Sequence, residues 1–149
     1  MKPENNVLCL AARLGTEVKA FLDLGCFAVG LDLNPGKDNK YVVTGDFHDI
    51  QFPDHSVDIV FCNSLDHAFD IHKLMTEIRR VLKPQGKLIL EINTDDEDSE
   101  GGRAGHFEAL VWDSFETLLK VLEEHGLKCT HKQQIDHPWN GTHAYFSLQ

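Results

Sequence analysis

Apolar positions fall into short runs separated by stretches of helical period. "NVLCLAA" (6–12) is a nearly continuous apolar run, as expected of a strand covered on both faces. "GTEVKAFLDLG" then sets Val18, Phe21, Leu22 and Leu24 at helical spacing and closes on Gly25 as a C-terminal cap. "FAVGLDL" (Phe27–Leu33) reads as a second strand, "NPGKDNK" as a turn and "YVVTGD" as a short third strand. Pro53 and its polar neighbours break any period in "FHDIQFPDHS", which reads as a loop. "VDIVFCNS" (Val57–Ser64) is a fourth strand. "DIHKLMTEIRRVL" carries Ile71, Leu74, Met75, Ile78 and Leu82 on one helical face, with Pro84 and Gly86 as its stop. "KLILEIN" is a fifth strand. "SFETLLKVLEEHG" is a helix with Ser114 as its cap, Thr117 at the capping-box position and Gly126 at its end. "LKCTHKQQI" and "THAYFSLQ" are two final strands. The Asn140-Gly141 pair in the connector "DHPWNG" predicts that they form an antiparallel hairpin.

Buried strands separated by helices predict an α/β protein: a three-layer sandwich around a mostly parallel sheet, with an antiparallel last strand. The 149 residues suffice for one domain, 1–149, and show no internal repeat. No apolar run approaches the roughly 20 residues of a membrane helix. The amino-terminal run is too short for a signal peptide, so a soluble, cytoplasmic protein is expected.

Charge narrows the partners. The net charge of -10 argues against a phosphate-backbone ligand, and hence against nucleic acid. Much of the acidity lies in "TDDEDSEGG", Thr94–Gly102, which reads as a solvated loop. The four cysteines, Cys9, Cys26, Cys62 and Cys129, include no CxxC pair and suit a reducing compartment. Nine histidines include no HxxxH or HExxH, so no metal site is expected.

In an open parallel sheet, ligands bind beyond the carboxyl ends of the strands. Polar residues collect at those ends here. Ala11, Ala12, Arg13, Leu14 and Gly15 follow the first strand, and Asp32 ends the second. Asp46, Phe47 and His48 follow the third. Asn63, Ser64, Asp66 and His67 follow the fourth, and Glu91 and Asn93 close the fifth. A carboxylate at the end of the second strand can accept both hydroxyls of a ribose. Asp46 can accept from an adenine amino group while Phe47 packs on the ring. Together they suit an adenosine. Alternatively, Asp32 opens an Asx turn and Asp46 caps one. No GxxxxGK[ST] is present, so a triphosphate is not expected.

Three segments resemble the class I S-adenosylmethionine-dependent methyltransferases, of the small-molecule, type 11-like kind. They are "VGLDLNPG", "GDFHDIQFPDHSVDIVFCNSLDH" and "EIRRVLKPQGKLIL". The resemblance implies a Rossmann-like methyltransferase sheet trimmed of some helices, with S-adenosyl-L-methionine as cofactor and S-adenosyl-L-homocysteine as product. It assigns cofactor contacts to Ala11, Ala12, Arg13 and Gly15 in the first motif and to Asp32 and Leu33 at the second strand. Further contacts fall on Asp46, Phe47 and His48, and on Asn63 and Ser64. The family's first motif is acid-x-Gly-x-Gly-x-Gly. Here those positions hold Cys9, Ala11, Arg13 and Gly15. Ala11 is expected to keep ordinary dihedrals. Arg13 is expected either to meet the cofactor's carboxylate or to pair with Glu17 at i, i+4. Glu17 can also point back to the missing acid's place.

The implied activity is O- or N-methylation of a small-molecule or sugar-type acceptor, with His67 as general base and Asp66 either orienting it or contacting substrate; alternatively, His67 is a helix-entry residue that meets no ligand. His106 is a candidate lid residue. Trp112 and Trp139 read as packing residues. "NSLD" in place of an "NPPY"-type tetrad argues against planar amines. A homo-oligomer is left open. The alternative is a catalytically inactive methyltransferase-like domain that acts through a protein partner. A nicotinamide-dependent oxidoreductase is disfavoured by the absent GxGxxG.

Overall fold

A computed structural model describes residues 2–93, 115–137 and 140–149. The acidic loop, His106, Trp112, Ser114 and Trp139 lie outside the described residues. Seven strands form one sheet: β1 (Asn6–Leu10), β2 (Phe27–Asp32), β3 (Val42–Thr44), β4 (Val57–Cys62), β5 (Leu82–Asn93), β6 (Leu127–Ile135) and β7 (Gly141–Leu148). Three α-helices are described, α1 (Thr16–Asp23), α2 (Ile71–Val81) and α3 (Phe115–Glu124), with a 3-10 turn at Leu65–His67.

The strand order is β3-β2-β1-β4-β5-β7-β6. The first five strands are parallel, and β7 runs antiparallel to both of its neighbours. Strands β6 and β7 pair antiparallel as the sequence predicts, from Leu127 opposite Leu148 to Ile135 opposite Gly141. Successive residues of a strand face opposite sides of a sheet. Val7 and Cys9 therefore meet Val18 and Phe21 of α1 on one side. Leu8 and Leu10 join Leu74, Met75 and Ile78 of α2 and Leu118 and Leu122 of α3 on the other. Both faces are buried, which explains the unbroken apolar run of β1.

Some elements differ from their sequence expectation. Leu22 and Leu24, expected on the apolar face of α1, are exposed, and only Val18 and Phe21 of that set are buried. The fifth strand begins at Leu82 because Leu82 pairs with Val57. The ladder then slips until Lys87 meets Ile59. Pro84 and Gly86 fall inside that slip, so they interrupt the ladder rather than separate helix from strand. The third strand shrinks to three residues. No helix forms between β2 and β3 or between β3 and β4.

Sheet direction reverses its winding between β1 and β4, which are hydrogen-bonded neighbours. The helix after β1 and the helix after β4 leave on opposite faces there, opening a crevice at the strand ends. Among the described residues, no helix is long and apolar enough to cross a membrane.

Candidate cofactor site

The loop from β1 to α1 holds the departure from the glycine motif. Ala11 has φ 52°, Arg13 φ 48° and Gly15 φ 80°. All three positions are left-handed, so Ala11 does not keep the ordinary dihedrals expected of it. A non-glycine residue in this region costs roughly 1–2 kcal/mol. The conformation persists because the surroundings hold it. Ala12 N–H donates to Leu31 O at 3.2 Å and Gly15 N–H to Ala12 O at 2.7 Å. Arg13 N–H donates to Asp32 Oδ2 at 2.8 Å. Asn39 Nδ2 donates to Arg13 O at 3.3 Å and to Pro35 O at 2.8 Å. At Gly15 a Cβ would stand 2.9 Å from Val42 Cγ2, so this glycine is demanded by space as well as by φ.

Asp32 serves two purposes. Its Oδ1 accepts from Asn34 N–H at 2.8 Å, an Asx turn, while Oδ2 holds the β1–α1 loop. A carboxylate offers about four lone-pair sites. Two remain for a further donor pair. A cleft of about 100 Å³ opens beside it, lined by Ala11, Leu31, Asp32, Leu33, Gly45, Phe47 and His67. These residues come from the ends of β1, β2, β3 and β4, so the strand-end residues converge. Of the other named positions, Ala12 is buried, Arg13 is exposed, and Gly15, Asn63, Ser64, Asp46, His48 and Asp66 are not on the cleft wall.

Asp46 is fixed from behind. Its Oδ1 accepts from both His48 N–H and His48 Nδ1, each at 2.8 Å. Burial pushes the Asp46 carboxyl up, but the amide and ring of His48 outweigh it and hold it below its usual value. His48 is 1% exposed and packs edge-on to Phe47 and against Phe69 at 3.7 Å between centroids. His67 Nε2 lies 4.0 Å from Asp66 Oδ2, too far for a hydrogen bond.

The expected Arg13–Glu17 pair does not form. Helical i, i+4 spacing does not apply, because α1 begins only at Thr16 and Gly15 is left-handed. Glu17 Oε1 instead accepts from Asn63 Nδ2 at 3.1 Å, and Oε2 is buried with no hydrogen-bond partner among the described residues. This carboxylate stands near Cys9, the position the motif gives to an acid. The Cys9 thiol is pushed well up by burial, then by Glu17 and Cys62. Burial likewise pushes Cys62 up to about 12. Neither is a thiolate nucleophile at neutral pH.

Sequence reasoning missed Leu31, Gly45, Asn39 and the Glu17–Asn63 bond. Leu31 is an ordinary core residue by pattern and carries no signal. Gly45 shows its role only in the structure: a Cβ there would lie 2.5 Å from Leu31 Cδ1, so the Leu31 side chain would have to shift.

Comparison with known proteins gives the family and the fold. Residues 8–90 match the family described as "Methyltransferase domain". An uncharacterized methyltransferase-like protein of Schizosaccharomyces pombe is 50% identical over 48 residues, which is 32% of this chain and 19% of that protein's length. The fold matches a chain of the Haloferax volcanii complex between the Trm112 methyltransferase activator and a methyltransferase. The TM-score is 0.82 at 20% identity, covering 99% of this chain and 84% of that one. It also matches the Burkholderia thailandensis 1,6-didemethyltoxoflavin-N1-methyltransferase, solved with 1,6-didemethyltoxoflavin and S-adenosylhomocysteine. There the TM-score is 0.79 at 15% identity, over 99% of this chain and 72% of that one. With a family match across more than half its length, and with its strand-end residues gathered at one cleft, the chain belongs to the methyltransferase-domain family, the class I S-adenosylmethionine-dependent methyltransferases.

Proposed function

We propose that this chain, acting as one domain in the cytoplasm, transfers the methyl group of S-adenosylmethionine to an oxygen or nitrogen of a small-molecule or sugar-type acceptor. The observation that carries the reading is the convergence of Asp32, Phe47 and His67, from three strand ends, on one cleft. The residues fit the cofactor's parts. Asp32 has acceptor sites left for ribose hydroxyls, and Asp46 Oδ2 has no hydrogen-bond partner among the described residues.

When bound, S-adenosylmethionine supplies an electrophilic methyl carbon on a sulfonium. The protein's own part is to hold the acceptor in line and exclude water. His67 lies on the cleft wall and takes the acceptor's proton at a ring nitrogen as the new bond forms. Asp66, whose Oδ2 lies 4.0 Å from His67 Nε2, is the residue assigned to orient that ring. The net charge of -10 supports a small-molecule rather than a nucleic-acid substrate.

The test is release of S-adenosylhomocysteine in the presence of a panel of hydroxyl and amine acceptors. His67→Gln is expected to lower turnover on an accepted substrate by about 100-fold, a typical general-base contribution. Turnover that survives this change would remove His67 from the mechanism. A second reading has its own support: a catalytically inactive domain that acts through a protein partner. Two left-handed non-glycine residues stand in the first motif, and one structural neighbour was solved with a protein activator. Cofactor binding with no turnover on any acceptor would favour it. Sedimentation of the purified chain decides whether it self-associates.

A further inference from the structure

We propose that His48 is a positioning residue that aims Asp46 at a 6-amino purine and so makes the site reject a 6-oxo purine. This rests on the adenosine reading of the cleft. His48 is 1% exposed, so it touches no ligand in the cleft itself. Its ring nevertheless makes two hydrogen bonds that fix the carboxylate in front of it. Nδ1 lies 2.8 Å from Asp46 Oδ1, and Asp70 N–H donates to Nε2 at 3.3 Å.

The second bond determines the first. Because Nε2 accepts from a backbone N–H, it carries no proton. The neutral imidazole then has its hydrogen on Nδ1, and that hydrogen points at Asp46 Oδ1. The amide of His48 donates to the same oxygen at 2.8 Å. Two donors on Oδ1 stop rotation of the carboxylate about its last torsion. Oδ2 is left as an acceptor in one direction, with no hydrogen-bond partner among the described residues. The Asp46 side chain is 38% exposed, and its neighbours Gly45 and Phe47 line the cleft. A fixed acceptor of this kind favours an amino group and repels a carbonyl oxygen. A freely turning carboxylate discriminates less, because it can swing away or bind water.

The packing explains why a histidine does this. Phe47 meets the ring edge-on at 4.7 Å between centroids, and Phe69 lies against it at 3.7 Å. Asp70, whose amide fixes the tautomer, also caps α2 by accepting from Lys73 N–H at 3.0 Å. The direction of Oδ2 is thus referred to the start of a helix rather than to a loop.

Two measurements on the intact protein test this. The first needs no ligand. Long-range proton–nitrogen spectra, with His48→Asn to assign the signal, should show His48 as the Nδ1–H tautomer, the less common form in free histidine. An Nε2–H tautomer would overturn the proposal. The second compares calorimetric affinities for S-adenosylhomocysteine and S-inosylhomocysteine. The wild type should prefer the amino form by at least about tenfold, the scale of one good hydrogen bond against a repulsive contact. His48→Phe keeps the ring stack and should bring the ratio below about threefold, mainly by weakening the amino form. His48→Asn, whose amide nitrogen replaces Nδ1, should restore most of the preference. A folded His48→Phe protein that keeps the wild-type ratio sinks the inference alone. Failure of the wild type to bind either nucleoside removes the adenosine reading and this inference with it.

Discussion

Ala11 and Arg13 are where this chain departs most from its family, and the departure is energetic before it is functional. Both residues sit at positive φ, in the conformation that the motif's glycines normally supply. The loop holds this shape with two residues for which it is costly. Ala11→Gly and Arg13→Gly are each expected to raise unfolding free energy by about 1 kcal/mol, read as a higher urea midpoint at constant slope. A lower midpoint would mean that the side chains make contacts worth more than the strain. Gly45→Ala is the opposite case. Its methyl group would be driven into Leu31, so a loss of about 1–3 kcal/mol is expected in the same experiment. The strand-end positions were legible in the sequence because parallel sheets put ligands at the carboxyl ends of strands. The dihedrals of Ala11 were not, because a small side chain says nothing about which backbone region its neighbours impose. The sequence placed His48 just after the third strand, but not its burial behind Asp46.

At the scale of elements, the notable feature is a loop that stays in place without a helix. The β3–β4 connection carries Asp46 and His48, and Arg80 of α2 pins it. Arg80 donates to Ile50 O at 2.6 Å, to Phe52 O at 2.8 Å and to Asp54 Oδ1 at 2.8 Å. Glu77, one turn earlier, holds Arg80 and accepts from Ile50 N–H at 2.7 Å. The Arg80 side chain, aided by the Ile50 amide and against burial, holds the Glu77 carboxyl below its usual 4.5. The sign follows directly. A carboxyl lowered in the folded state stabilises the fold above its unfolded value, and that stabilisation is lost as pH falls through the lower folded value. Asp46 and Asp58 are lowered from 3.8 and act in the same sense. Stability to urea should therefore drop steadily below about pH 4.5, and Glu77→Gln should both lower it at pH 7 and flatten that drop. An unchanged acid slope in Glu77→Gln would place the sensitive carboxyl elsewhere. Helical period identified α2 from its apolar face. It could not reveal Arg80 as the clamp, because its partners include two backbone carbonyls of a loop with no period.

For the whole molecule, the mostly parallel sheet, the direction of β7 and the two-sided core follow from runs of apolar residues and their connectors, whereas the strand order is read from the structure alone. The family resemblance was legible for the same reason: its strongest segments are structural ones. The slip in β5 was not, since Pro84 and Gly86 read equally well as a helix stop. The central claim is that the strand ends form a cofactor site whose loop works with Ala11 and Arg13 in place of two of its three glycines. Calorimetric titration of S-adenosylhomocysteine into the purified protein, with Asp32→Ala as control, tests it most directly. The expected result is micromolar binding to the wild type that is lost in Asp32→Ala, which removes both the proposed ribose acceptor and the bond that holds Arg13 N–H. No binding at millimolar ligand would contradict the account.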